Sequence, residues 1–183
     1  MKNSVAIYLV ASYAAIASAG GAQAHVALQD GAAAAGAGYR ATFKVGHGCD
    51  GSATTGIAVT IPTGFTGAQP MPKAGWTVRV VSGKLEQPYE SHGKKFADGV
   101  LEIHWTANTP ENALPSDFYD EFVLHGTPGK PGALWFKVVQ TCTQGSNAWV
   151  DIPASGTSTK GMKTPAALLE VQDIPASAGG HNH

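Results

Sequence analysis

A histidine that follows an alanine-rich segment is the residue in this sequence best placed to do chemistry. His25 directly follows Ala22-Gln23-Ala24, which has the A-x-A form of a signal-peptide cleavage site. Cleavage after Ala24 would leave an N-terminal histidine, whose freed α-amine and imidazole can close a chelate ring on one metal ion. The sequence therefore predicts a metal site that forms only after processing.

The first 24 residues have the pattern of a secretory signal. Lys2 supplies a basic start, and a mostly apolar run over 5–17 precedes the small residues at the cleavage site. A membrane anchor is the alternative, but the run is short beside the roughly 20 apolar residues of a spanning helix. We expect a soluble, exported protein, periplasmic or secreted, with a signal peptide over 1–24, one folded domain over 25–174 and a flexible histidine-containing tail over 175–183.

Composition limits the classes of function. The chain carries 12 Lys and Arg against 13 Asp and Glu, with no basic block, which argues against binding to nucleic acid or acidic lipid. About 160 residues remain after cleavage, enough for one domain with a hydrophobic core. The 23 glycines and 11 prolines favour short strands joined by tight turns.

Alternation of apolar and polar residues predicts an all-β fold. It is clear over Tyr39–Val45 and again over 56–61 and 101–105. We expect 31–38 to be a flexible loop and 65–76 to be irregular. Because no helical periodicity follows the signal helix, the sequence predicts an antiparallel Greek-key β-sandwich of the immunoglobulin or cupredoxin type.

The two cysteines, Cys49 and Cys142, are expected to pair and to tie the two sheets together. A cysteine pair in an exported chain usually forms a disulfide. Closing so long a loop stabilises by up to about 4–5 kcal/mol in the chain-entropy model. A cysteine-based copper or zinc site is the alternative, but neither cysteine has a nearby partner in a familiar metal-binding spacing.

Spacing does not select a second histidine to act beside His25. His47 lies in a glycine turn and is expected to be solvated, and His104 falls on the polar face of its strand. His181 and His183 form a His-Asn-His tail, a weak compositional sign of metal affinity. The remaining histidines have no pattern that singles them out: His92 and His125.

The sequence leaves two interpretations open for a cluster of carboxylates and two for one tryptophan. Asp117, Asp120 and Glu121 form either an acidic site or a solvated strand entry. Trp149 shares its predicted strand face with Asp151, which puts it on the polar side of the strand, unless it packs under a loop. The sequence has neither a nucleophile elbow nor a phosphate-binding glycine loop, so an enzyme is not indicated.

Five motifs are spread in order over nearly the whole predicted mature chain. They are Ala24-His25-Val26, Gly48-Cys49-Asp50-Gly51-Ser52, Pro70-Met71-Pro72-Lys73 leading to Gly75-Trp76, Tyr119-Asp120-Glu121-Phe122, and Val139-Gln140-Thr141-Cys142 followed by Trp149. Together they resemble the YcnI-like (YncI) family of exported bacterial copper-binding domains, which have a β-sandwich fold.

The resemblance implies a copper(II) site with a single-histidine brace. In the family, the mature N-terminal histidine binds through its amine and imidazole, a glutamate supplies oxygens, and a tryptophan lies close to the metal. His25 matches the histidine, Glu121 is the best match for the glutamate, and Trp149 is the best match for the tryptophan. Copper(II) favours such nitrogen and oxygen donors in a tetragonal arrangement. The fallback matches are Asp120, Trp135 and Trp76.

The function that follows is that of an exported copper(II)-binding protein in copper trafficking or homeostasis. We expect copper and other periplasmic copper-handling proteins as partners, and no membrane anchor in the mature chain. Two rival functions remain open. A copper enzyme of the oxidative polysaccharide-cleaving type would need a second histidine ligand, and a structural or adhesion module would bind no metal.

Overall fold

The computed structural model describes residues 25–173, so the predicted signal segment 1–24 and tail 175–183 lie outside the described residues. Residues 25–173 form β-strands and one short 3₁₀ turn, Pro110–Asn112, without an α-helix, and no helix in this range could cross a membrane. The all-β prediction is confirmed. In chain order the strands are β1 Ala27–Leu28, β2 Ala32–Ala34, β3 Tyr39–Val45, β4 Thr54–Thr60, β5 Phe65–Pro70, β6 Trp76–Ser91, β7 Lys94–Ala107, β8 Asp120–Pro128, β9 Gly132–Cys142, β10 Ser146–Trp149 and β11 Ala167–Gln172.

Two sheets enclose one hydrophobic core. The first sheet has the strand order β1-β3-β8-β5, and the second has the order β2-β11-β9-β4-β7-β6. β10 pairs with β9 on the edge that also holds β11, because β4 occupies the other edge. Neighbouring strands are antiparallel except β2 and β11, which are parallel. Most neighbours are not consecutive in the chain, so the chain crosses repeatedly between the sheets, as in an immunoglobulin-like sandwich.

The predicted alternation places the core. In β3, Ala41, Phe43 and Val45 are buried, and β4 and β9 show the same period of two. Inward residues of the two sheets then meet: the Phe43 and Phe136 ring centroids are 5.4 Å apart. Burial of each large apolar side chain stabilises the fold by about 1.5–3 kcal/mol.

Two strands form where the sequence predicts loops. β2 lies within the 31–38 segment, and β5 lies within the 65–76 segment. Both are poor in β-branched residues, so their partners decide their conformation: β11 for β2 and β8 for β5. β5 is an edge strand. Pro70 is tolerated there because no strand pairs with the outer side of β5, so a backbone N–H is not needed on that side.

β6 and β7 continue beyond the sheet as a two-stranded ribbon. β4 covers β7 only as far as Glu102, whereas β6 and β7 remain paired to Ser91 and Lys94. The turn at His92-Gly93 uses positive φ angles of 49° and 71°. Most of residues 83–99 therefore lie in strands.

The predicted disulfide is present and lies at one end of the sandwich. Cys49 follows β3 of the first sheet and Cys142 ends β9 of the second, with 6.0 Å between their Cα atoms. Antiparallel pairing sets the start of β1 beside the end of β3. The same end of the sandwich therefore holds His25.

Candidate metal site

His25 and Trp149 are neighbours in the structure. The half-buried imidazole of His25 lies edge-on to the indole, with 5.5 Å between ring centroids and 70° between ring planes. His25 belongs to the chain just before β1, which the buried side chain of Val26 anchors to the core, and Trp149 is the last residue of β10. Two of the three residues predicted at the metal therefore lie together.

Trp149 faces the core, so its predicted place on the polar side of the strand is wrong. It is 6 % exposed and belongs to the same buried cluster as Val26. The alternation with Asp151 misleads because β10 ends at Trp149, and Asp151 lies beyond the strand. Asp151 instead accepts a hydrogen bond from the hydroxyl of Thr164. The indole is thus a buried wall beside His25.

A second imidazole, that of His47, packs on the same indole. The His47 and Trp149 ring centroids are 6.4 Å apart, with 77° between planes. His47 is half-buried, so the prediction of a solvated turn residue is wrong. Its Nδ1 lies 2.6 Å from the carbonyl oxygen of Gly48. Because a carbonyl only accepts hydrogen bonds, Nδ1 carries the proton, and in the neutral ring Nε2 keeps its lone pair.

A buried glutamine connects the indole to the backbone of His47. The Oε1 atom of Gln140 accepts a hydrogen bond from Trp149 Nε1 at 3.2 Å. Its Nε2 donates to the His47 carbonyl oxygen at 2.7 Å and to Thr54 Oγ1 at 2.8 Å. Sequence reasoning assigned no role to Gln140, although an amide on an apolar strand face is a usable signal. The other inward positions of β9 are Leu134, Phe136, Val138 and Cys142.

Glu121 lies in the first sheet, two strands away from β1. It is paired in register with Lys44 of β3, which is paired with Ala27 of β1. Its carboxylate accepts a hydrogen bond from the Tyr119 hydroxyl at 2.6 Å, and this bond is the main cause that raises the pKa of Tyr119 to about 12. The role of Glu121 as a metal ligand stays a prediction.

The fallback residues have other neighbours. Asp120 forms an ion pair with Lys73 at 2.6 Å. Trp76 packs against Phe122, with 5.0 Å between ring centroids. Trp135 lines a cleft with the end of β4 and the start of β5. Trp149, by contrast, contacts His25.

Three other histidines within 25–173 lie outside this cluster. His104 is half-buried on β7, with Nε2 3.0 Å from Glu102 Oε2. His92 sits in the ribbon turn, and His125 is exposed on β8. The tail histidines, His181 and His183, lie outside the described residues.

The side chains at this end of the sandwich include imidazoles and no free thiol within residues 25–173. Within residues 25–173, no group of three or more His, Cys, Asp or Glu side chains is arranged to hold a metal ion. Both cysteine sulfurs are joined in the disulfide. Side chains alone therefore do not form a metal site of three or more ligands in this part of the chain.

Fold and site together define an immunoglobulin-like β-sandwich domain, closed by one disulfide, with two imidazoles on a buried indole at one end. Within that class, the chain belongs to the DUF1775 family, described as a domain of unknown function, whose profile matches residues 25–171.

One solved structure similar to this chain is that of an uncharacterized protein from Nocardia farcinica, described as having an immunoglobulin-like fold. It is 26% identical to this chain with a TM-score of 0.62, and the match covers 80% of this chain and 97% of that one. None of the curated proteins that were compared matches the chain. These similarities establish fold and family, and the function has to be argued from the site.

Proposed function

We propose that this protein is an exported copper(II)-binding protein that carries copper as its cargo in copper trafficking or homeostasis. The observation that carries the proposal is the edge-on contact between the His25 imidazole and the buried Trp149 indole. Membership of the DUF1775 family supports the resemblance to the YcnI-like proteins, which contain this domain, and the family match begins at His25.

The proposed chemistry depends on cleavage after Ala24. Until the bond between Ala24 and His25 is broken, the His25 nitrogen is an amide, which is a poor ligand at neutral pH. After cleavage it is an amine that can chelate together with the imidazole. Both nitrogens must be deprotonated to bind, so copper affinity is expected to fall as pH drops through the range in which imidazoles and α-amines gain protons.

Glu121 is the proposed oxygen donor. Its carboxylate already accepts a hydrogen bond from Tyr119, so copper would compete with that hydroxyl. Glu121→Gln is expected to weaken copper(II) binding by about tenfold, whereas Tyr119→Phe removes the competing hydroxyl and should not weaken binding. An unchanged affinity in Glu121→Gln would remove this residue from the site and leave the role of His25 standing.

Export and a periplasmic location are part of the proposal. The Cys49–Cys142 disulfide supports them, because such bonds persist in oxidising compartments. The proposed partners are the copper ion and other periplasmic copper-handling proteins. Mass spectrometry of protein recovered from the periplasm should find His25 as the first residue; a different first residue would refute the amine ligand.

An oxidative copper enzyme is a second candidate, which the position of His47 favours because a two-histidine brace needs a second imidazole near the first. Oxidation of a polysaccharide by the copper-loaded protein would support it. A structural or adhesion module is the remaining alternative. Protein purified from its native periplasm without copper, and unable to bind it tightly afterwards, would support that one.

The test of the proposed function is a copper(II) titration, in competition with a chelator, of the chain that begins at His25. His25→Ala should lower the affinity by at least about a hundredfold, or ~2.7 kcal/mol. His125→Ala, at an exposed position of β8, is the control and should bind as the unmodified chain does. An unchanged affinity in His25→Ala would refute the proposed site.

A further inference from the structure

We propose that His47 supplies its Nε2 atom as a second imidazole ligand to the copper(II) ion held by His25, and that Gln140 is the positioning residue for His47. The inference rests on the proposed function. It extends the ligand set that the family resemblance implies, which contains a single histidine.

Both imidazoles pack edge-on against one indole. The ring centroid of His25 lies 5.5 Å from that of Trp149, and the ring centroid of His47 lies 6.4 Å from it, so the two imidazole centroids are separated by no more than the sum of these distances. The register of the first sheet places both histidines at the same end of the sandwich. Ala27 is paired with Lys44, and the two histidines lie two and three residues beyond that pair at the same end of the sheet.

The hydrogen bond of His47 leaves a suitable nitrogen for the metal. Nδ1 donates to the Gly48 carbonyl at 2.6 Å, so Nε2 is the nitrogen with an available lone pair. Metal-binding histidines usually donate their second ring N–H to a carbonyl or carboxylate, which fixes the tautomer and the ring orientation. His47 already has this arrangement.

Gln140 holds the His47 segment against the wall of the site. A buried amide is costly unless its polar atoms are paired, and here the atoms are paired with the Trp149 indole, the His47 backbone and the Thr54 hydroxyl. The Cys49–Cys142 disulfide joins the same two segments a second time, two residues after His47 in one and two residues after Gln140 in the other. Two adjacent cross-links therefore fix the distance between His47 and Trp149.

The experiment counts the imidazoles bound to copper(II) by pulsed EPR, in the chain that begins at His25. The unmodified chain should show two coupled imidazoles. His47→Gln should show one and bind copper about tenfold or more weakly. His104→Gln is the matched control, because His104 is also half-buried and hydrogen-bonded but lies on β7, and it should still show two.

The outcomes separate this inference from the proposed function. One imidazole in the unmodified chain, lost in His25→Ala and unaffected by His47→Gln, overturns the role of His47 and leaves copper binding in place. No copper binding by the unmodified chain overturns both. Where His47→Gln folds poorly, a count of one in the unmodified chain still overturns the role of His47. Oxidation of a polysaccharide, rather than the imidazole count, separates an enzyme from a carrier.

The positioning role of Gln140 has its own readout. Gln140→Met is nearly isosteric and removes all three hydrogen bonds. It should change the EPR coupling of the second imidazole and weaken copper binding by about tenfold, while the coupling of His25 stays the same. A variant that is less stable but gives the unmodified copper spectrum would show that Gln140 serves the fold alone.

Discussion

Two buried tryptophans, Trp105 and Trp149, occupy environments of different chemistry. Trp105 on β7 is 1 % exposed and packs against Phe122, with 5.9 Å between ring centroids. Its Nε1 donates to the carbonyl oxygen of Met71 at 3.1 Å. A hydrocarbon ring and a main-chain acceptor are the ordinary surroundings of a structural tryptophan.

Trp149 is also buried, but its ring neighbours are the imidazoles of His25 and His47. Its Nε1 donates to the side chain of Gln140 rather than to the main chain. Packing alone does not require titratable rings or a buried amide, and an apolar set would cost less to bury. The proposed function accounts for this difference: the Trp149 end of the sandwich would serve a ligand, whereas the Trp105 region serves the core.

The largest expected effect is on stability, at Trp105. Trp105→Ala should lower the free energy of unfolding by about 3–5 kcal/mol, because the indole is almost fully enclosed and its loss leaves a cavity in the core. Urea denaturation measures this loss. The folded fraction should bind copper as tightly as the unmodified chain does, and weaker binding would break the distinction between the two regions.

The next effect is at Gln140. Gln140→Met should destabilise by about 2–3 kcal/mol, because the Trp149 indole, the His47 carbonyl and the Thr54 hydroxyl lose buried partners. The same replacement at Gln87, an exposed glutamine of β6, is the control and should change the free energy of unfolding by less than about 0.5 kcal/mol. Equal effects at both positions would mean that the network contributes nothing.

A third buried aromatic residue, Tyr39, should make the stability of the fold depend on pH and should have no effect on copper binding. Burial, and then the charge of Asp30, raise the pKa of Tyr39 from 10.0 to about 12. The fold therefore favours the neutral phenol. The resulting contribution of Tyr39 to the free energy of unfolding is fully present below pH 10 and is lost as pH rises through about 12. The loss amounts to up to about 2–3 kcal/mol.

Tyr39→Phe should remove that alkaline loss of stability. Denaturation at pH 9 and at pH 11.5 measures it, and Tyr89→Phe in the β6–β7 ribbon is the control. An alkaline loss that persists in Tyr39→Phe would assign it to other groups.

The smallest and most selective effect is expected from a matched pair of replacements. Trp105→Phe and Trp149→Phe each keep an aromatic ring and remove one buried N–H donor, so each should destabilise by about 1–2 kcal/mol. Only Trp149→Phe should change the copper(II) spectrum and affinity. If both or neither change copper binding, the two tryptophans do not differ in function.

The sequence predicts those strands in which apolar and polar residues alternate. β3, with Ala41, Phe43 and Val45 facing inward, could be read from its alternation. β2 and β5 could not, because small residues and proline carry no strand signal and a neighbouring strand determines their conformation. The disulfide was predictable because a chain with a predicted signal peptide and two cysteines leaves few alternatives.

The site was predictable only where a motif pointed to it. His25 follows from the cleavage pattern, and Trp149 follows from the family resemblance. The approach of His47 to Trp149 depends on a contact between segments far apart in the chain, which spacing does not encode. Gln140 joins those segments through hydrogen bonds across 93 residues to His47 and 9 residues to Trp149. Its amide on an apolar strand face was the one local sign.

The most direct test is whether the new N-terminus is a ligand. Two chains are compared by competitive copper(II) titration: one begins at His25, and the other carries a single extra alanine before it. The imidazole is the same in both, and only the amine is displaced. We expect the chain that begins at His25 to bind at least about a hundredfold more tightly. Equal affinities would contradict a copper site created by cleavage.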